Sequence, residues 1–176
     1  SLEYKGKELV LDRNKASKTT QLFQLLMFHT EDGGISKAAM IEALYGRVEV
    51  ENKNSSLNNT IFRLRKQVRD IGLPESKYIN IQSGMCCWDE NIKVWVDVCE
   101  FKRLVEQVRT EKREGDRLQL WLKIWKIYKG EFLPDMIGEN WAAVENVQCR
   151  DDYFQVTTQL CQWLKNNERY EDLHRI

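Results

Sequence analysis

Four apolar residues, Leu57, Ile61, Leu64 and Val68, fall at i, i+4, i+7 and i+11, and this spacing constrains the chain more than any other feature in it. At 3.6 residues per turn they share one side of an α-helix, a stripe that has to be buried. The rest of that helix is unusual. Between Asn52 and Arg69 stand Lys53, Arg63, Arg65, Lys66 and Arg69, and no carboxylate. The 176 residues carry 27 bases and 27 acids, so the cleared helix is a local choice and not a compositional one. A first helical turn ordinarily gains from Asp or Glu, because the macrodipole is positive there. This turn holds Ser, Leu and Asn, with Asn54 or Ser55 as its expected cap. Its N–H groups are left for an outside anion such as phosphate.

The residues before the helix carry ordinary structural signals. "LEYKGKELVL" alternates around Lys5-Gly6-Lys7 and reads as a short hairpin. "SKTTQLFQLLMFHT" places Leu22, Leu25, Leu26 and His29 at helical spacing and ends at Gly33-Gly34. "ISKAAMIEALYG" is a second helix, capped by Ser36, stapled by Ile35 and Met40, and closed by Gly46. After the basic helix come Gly72 and Pro74. "YINIQSGMCCWD" then reads as two short strands joined near Ser83-Gly84. Helix, turn, helix, loop, basic helix and β-hairpin is the order of a winged helix-turn-helix, in which the third helix enters the major groove and the hairpin touches flanking backbone.

The run Ile61-Phe62-Arg63-Leu64-Arg65-Lys66 resembles the recognition helix of OmpR-type winged helices, marked by an apolar–x–R-L-R-K stretch. The resemblance implies a recognition helix over 55–71. Arg63 and Asn59 would reach bases, and Ser55, Asn58, Thr60, Arg65 and Lys66 would reach the phosphate backbone. Asn80, Gln82 and Ser83 of the wing would add backbone contacts. The residue types suit these roles: Arg pairs bidentately with guanine, Asn with adenine, and small hydroxyls with phosphate oxygens. The chain departs from the family in its Gly84-Met85, where Gly-aromatic is usual, in a wing about two residues short, and in Phe62, where many relatives are polar.

From Asp97 onward the apolar period is helical throughout. Phe101, Leu104, Val105 and Val108 mark one face, and Leu118, Trp121, Leu122, Trp125 and Tyr128 another. Trp141 to Leu164 spans one long helix or two, and Tyr170 begins the next. Short connections between such helices predict antiparallel pairs, with the Trp-rich faces as core. Asp97-x-x-x-Phe101, Tyr128-x-Gly130-x-Phe132-Leu133-Pro134, Trp141 and Tyr170-Glu171-Asp172-Leu173 resemble the bacterial transcriptional activation domain, a tetratricopeptide-like module. An Arg usual after the Trp is missing; Asn146 and Arg150 bracket its place. In SARP-type regulators that module directly follows an OmpR-type winged helix. The expected architecture is therefore mainly α with small β: a winged helix-turn-helix domain over 1–96, then a tetratricopeptide-like antiparallel helical domain over 97–176. The opening Ser1 and a closing "RYEDLHRI" without a helix stop lead us to expect a piece of a longer protein.

Charge distribution narrows the function further. Up to Ile92 there are thirteen bases and twelve acids, and from Asp97 onward thirteen and fifteen, so there is a basic helix and no basic domain, and any nucleic-acid contact must be local. No apolar run approaches the roughly 18 residues of a membrane span. The five cysteines include no C-x-x-C pair and only His29 and His174 accompany them, so we expect reduced thiols in a cytoplasmic protein, no metal and no cofactor. Phosphate-binding and nucleophile motifs are missing, and Asp151-Asp152 at i, i+1 does not share a helix face, so no enzyme is expected. The resemblance implies a transcription regulator, an activator by the family's habit, bound to double-stranded DNA on direct repeats as a homodimer and in contact with RNA polymerase. The rival reading is a protein-interaction scaffold, with the basic helix docked on an acidic partner and Trp121, Trp125 or Trp141 partly exposed in a groove.

Overall fold

Lys5 and Gly6 take φ of 51° and 73°, the left-handed pair that a two-residue hairpin turn requires. They join β1 (Leu2–Tyr4) to β2 (Lys7–Leu9), with Leu2 opposite Leu9 and Tyr4 opposite Lys7. The computed structural model describes residues 2–136 and 138–176, and these are mainly helical with small antiparallel sheets. The chain divides into two units between Val94 and Trp95, just ahead of the boundary read from the sequence after residue 96.

In the first unit α1 (Lys18–Phe28) is capped by Ser17, whose hydroxyl accepts the Thr20 N–H. The next helix, α2 (Lys37–Tyr45), is capped in the same way by Ser36 on Ala39, and Ile35 and Met40 are both buried as a staple requires. Gly46 ends α2 in a right-handed conformation, not in the left-handed one usual for a closing Gly. Ile35 and Ser36 also form a two-residue strand, β3, that the sequence reading did not anticipate. The third helix, α3, spans Lys53–Asp70 and buries the expected stripe: Leu57, Leu64 and Val68 are fully enclosed and Ile61 nearly so. It packs on α1 and α2. A second hairpin follows, β4 (Ile79–Gln82) and β5 (Met85–Trp88), with Ser83 and Gly84 both at positive φ in its turn. The sheet order is β3-β5-β4, with Ile35 opposite Cys86. Trp88 holds the hairpin to α1 through an edge-on contact with Phe23, ring centroids 5.7 Å apart, and lies beside Tyr78 at 6.2 Å. At the hairpin base the Asp89 carboxylate accepts from Ser76 and from the Asn91 N–H, bonds that hold it below the usual Asp range.

The second unit comprises α4 (Asp97–Thr110), α5 (Glu114–Ile127), a 3-10 turn at Pro134–Met136, α6 (Asn140–Asn166) and α7 (Tyr170–Leu173). The span from Trp141 to Leu164 is thus one helix. Both apolar faces read from the sequence enter the core: Phe101, Leu104, Val105, Val108, Leu118 and Trp121 are buried with Leu160 and Leu164 of α6, while Leu122, Trp125 and Tyr128 pack around them half-buried. Tyr128 stacks on Tyr153 at 4.1 Å. Asp152, which the sequence showed only beside Asp151, is buried, and it pairs with Arg109 of α4 at 2.8 Å. The short connection between α4 and α5 brings the two helices side by side, and α6 covers both.

Candidate nucleic-acid interface

The start of α3 lies earlier than 55. Asn52, and neither Asn54 nor Ser55, is the cap: its side-chain oxygen accepts the Ser55 N–H at 3.0 Å. The expectation of an acid-free first turn is unaffected, because that turn now begins at Lys53. Ser55 contributes its backbone N–H to the cap and leaves its hydroxyl on the exposed side.

At about 100° per residue, Asn59 and Lys66 lie opposite the buried stripe, with Phe62 and Arg63 to either side of them. Asn58, Asn59, Phe62, Arg63, Lys66 and Arg69 are all exposed. The proposed base-reading pair, Asn59 and Arg63, is one turn apart on this surface, with Ser55 a turn earlier and Lys66 a turn later. Arg69 extends the face and is a member that the sequence reading did not place in the site. A count of bases alone marks it; its helical angle puts it beside Phe62.

Two expected phosphate contacts are turned elsewhere. Thr60 is buried: its hydroxyl donates to the Ser56 carbonyl at 3.0 Å and lies 2.6 Å from the Tyr45 hydroxyl of α2. It sits on the flank of the stripe, at a helical angle that faces α2, so its hydrogen-bonding capacity is consumed inside the fold. Arg65 is half-buried and reaches to the hairpin, donating from Nε to the Lys77 carbonyl at 3.1 Å and from its terminal nitrogen to the Ile79 carbonyl at 2.6 Å. These carbonyls lie at the entrance to β4, so Arg65 ties the basic helix to the hairpin. The remaining expected members, Asn58, Asn59, Arg63, Lys66 and Ser55, are on the open face.

Within the hairpin Gln82 and Ser83 are exposed and Asn80 is half-buried. Asn80 and Gln82 share one side of β4 by the two-residue period. The turn does not stand free. The Gly84 carbonyl accepts the Lys37 N–H at the start of α2 at 2.8 Å, and the Cys87 thiol donates to the Gly33 carbonyl at 3.1 Å. The first helix ends at Phe28 with His29 as its cap, ahead of the expected stop at Gly33-Gly34; a Cβ on Gly34 would meet the Cys86 carbonyl at 2.6 Å, so that glycine makes room for β5. The loop before α1 is pinned from the other side: Asp12 is held below the usual Asp range chiefly by the Asn14 N–H, then by the Ser17 hydroxyl, with the Gln67 amide of α3 contributing.

Among the described residues no group of His, Cys, Asp and Glu is arranged to hold a metal ion, and no helix is long and apolar enough to cross a membrane. The described cysteines are free thiols. Comparison with known protein families, with curated proteins and with solved structures finds no match to this chain.

Proposed function

We propose that the chain is a sequence-specific double-stranded DNA-binding protein of the winged-helix class, with α3 in the major groove and the helical second unit, tetratricopeptide-like, serving assembly and partner contact. The observation that carries this reading is the open face of α3. Its exposed side chains between Asn54 and Arg69 are amides, a hydroxyl, bases and one phenyl ring, with no carboxylate among them. An acid there would be repelled and desolvated against phosphates, whereas a merely solvated helix gains from mixed charge. Support comes also from the surroundings of the face: two helices that buttress α3 from behind, and a hairpin bonded to it through Arg65. Arg63 and Asn59 read base edges; Ser55, Asn58, Lys66 and Arg69 hold phosphates.

With a formal net charge of zero the chain has little long-range attraction to DNA, and one small module makes few phosphate contacts. Useful affinity then calls for two copies on repeated half-sites, the arrangement of a transcription regulator that contacts RNA polymerase when it activates. The test is selection of bound duplexes from a random pool, beside an Arg63→Ala control. The expected result is an enriched repeated motif that blurs at one base pair in the variant, at a cost of about 1–3 kcal/mol. Absence of enrichment at low salt refutes the reading.

A protein-interaction scaffold is favoured by a different surface. Val144, Val147 and Phe154 stand exposed along one side of α6. Trp121 is buried and contributes nothing to such a groove, while Trp125 and Trp141 are half-buried. Enrichment of the motif by a Phe154→Ser variant as efficiently as by the wild type keeps this surface apart from DNA reading.

A further inference from the structure

Phe62 is the anomaly of the open face. Its side chain is 69% exposed on a well-packed helix, although a phenyl ring is among the groups water solvates least well. Its neighbours along the face are Asn58 and Asn59 a turn before and Lys66 a turn after, so the ring is framed by hydrogen-bonding and basic groups. An apolar hot spot for a protein partner would sit among further apolar side chains; the α3 face offers none. Helical side chains lean toward the helix N-terminus, which sets the ring over the two asparagines. In the major groove an A·T pair presents a donor and acceptor on adenine, which Asn matches bidentately, and a 5-methyl group on thymine, which only an apolar surface matches.

We propose that Phe62 reads the 5-methyl group of thymine beside an adenine held by Asn59, so that the operator contains an A·T pair at the position under this turn of α3. The assignment rests on the DNA-binding reading of α3 and adds to it a second specificity determinant, opposite in chemistry to Arg63. Burying one methyl group is worth about fourfold in affinity, and the ring covers one or two such groups.

Deoxyuridine differs from thymidine only by that methyl group, which makes the test direct. Each thymine of a selected duplex is replaced in turn by deoxyuridine, and the affinities of wild type and Phe62→Ala are measured by fluorescence anisotropy. The substitution sits at an exposed position, so the fold is retained, and circular dichroism checks this. At one or two positions the wild type is expected to lose about threefold to tenfold while Phe62→Ala binds both duplexes alike. Wild-type binding that ignores every replacement overturns the proposal and leaves DNA binding by α3 standing. So does an equal loss in wild type and variant, because the methyl group is then read by another side chain. Failure to enrich any duplex in the first place removes the DNA reading itself, and the proposal with it.

Discussion

Arg65 and Lys66 are adjacent in sequence, carry the same charge, and are expected to behave in opposite ways when removed. Arg65 donates to two main-chain carbonyls at the start of the hairpin, at 3.1 and 2.6 Å. A hydrogen bond from a charged donor nets about 1.5–3 kcal/mol, and water at this half-buried site recovers part of what is lost, so the two together are worth about 2 kcal/mol. Arg65→Met keeps the aliphatic stem and removes only the guanidinium. Two units in one chain make a global melt hard to interpret, so the readout is hydrogen exchange across residues 77–88. A loss of about 2 kcal/mol there corresponds to roughly 30-fold faster exchange. Lys66 is exposed, and Lys66→Ala is expected to leave exchange unchanged. In the proposed DNA binding the roles are expected to reverse. Lys66→Ala is expected to lower the slope of log affinity against log salt by about 0.9, the loss of one phosphate contact, and Arg65→Met to leave that slope alone. If Arg65→Met instead lowered the slope and spared the hairpin, the guanidinium would be on DNA and the tie to β4 would be refuted.

Three further substitutions probe the frame around the face. Thr60→Val keeps the volume and removes the hydroxyl that meets Tyr45 and Ser56; it is expected to cost about 1–2 kcal/mol, seen as faster exchange in α2 and α3, with the salt slope unaltered. Asn52→Ala removes the cap of α3 and is expected to cost about 1 kcal/mol, whereas Asn54→Ala leaves stability unchanged; equal losses would put the cap elsewhere. In the second unit, burial pushes the Cys149 thiol from its ordinary 9.0 up to about 11. The folded state therefore holds this proton more tightly than the unfolded chain, so the thiol's contribution is present below pH 9 and lost between pH 9 and 11, on the order of 2–3 kcal/mol. Urea unfolding of the second unit, followed by the helical and tryptophan signals that Cys149→Ala shifts, is compared for wild type and variant at pH 8 and 10.5: the wild type should lose more on the alkaline step, and equal losses would mean that the thiol is not shielded.

How far the sequence could be read depended on where each residue finds its partner. The α3 stripe was legible because Leu57, Ile61, Leu64 and Val68 carry its period within one segment, and the hairpin was legible because Ser83-Gly84 sits between two alternating runs. The cap was misplaced by a few residues because Asn52, Asn54 and Ser55 are equally good by type; the loop from Gly46 decides which one the chain delivers to the helix start. β3 escaped notice since two residues have no period, and Tyr78 in the left-handed region at φ 58° has no local marker at all. Thr60 and Arg65 were assigned by resemblance to an outward role, yet one is claimed by Tyr45, fifteen residues earlier, and the other by carbonyls twelve and fourteen residues later. Such partners exist only after α2, α3 and β4 have packed, so no pattern within the helix reports them. Phe62 is the converse case: its type argues for burial, its helical position for exposure, and position prevails. A fold tolerates that conflict at little energetic cost on the surface, but gains nothing from it. On the DNA-binding reading proposed above, the amides and bases around Phe62 suit a groove edge that offers hydrogen-bonding atoms next to a methyl group, and this is what the deoxyuridine series tests.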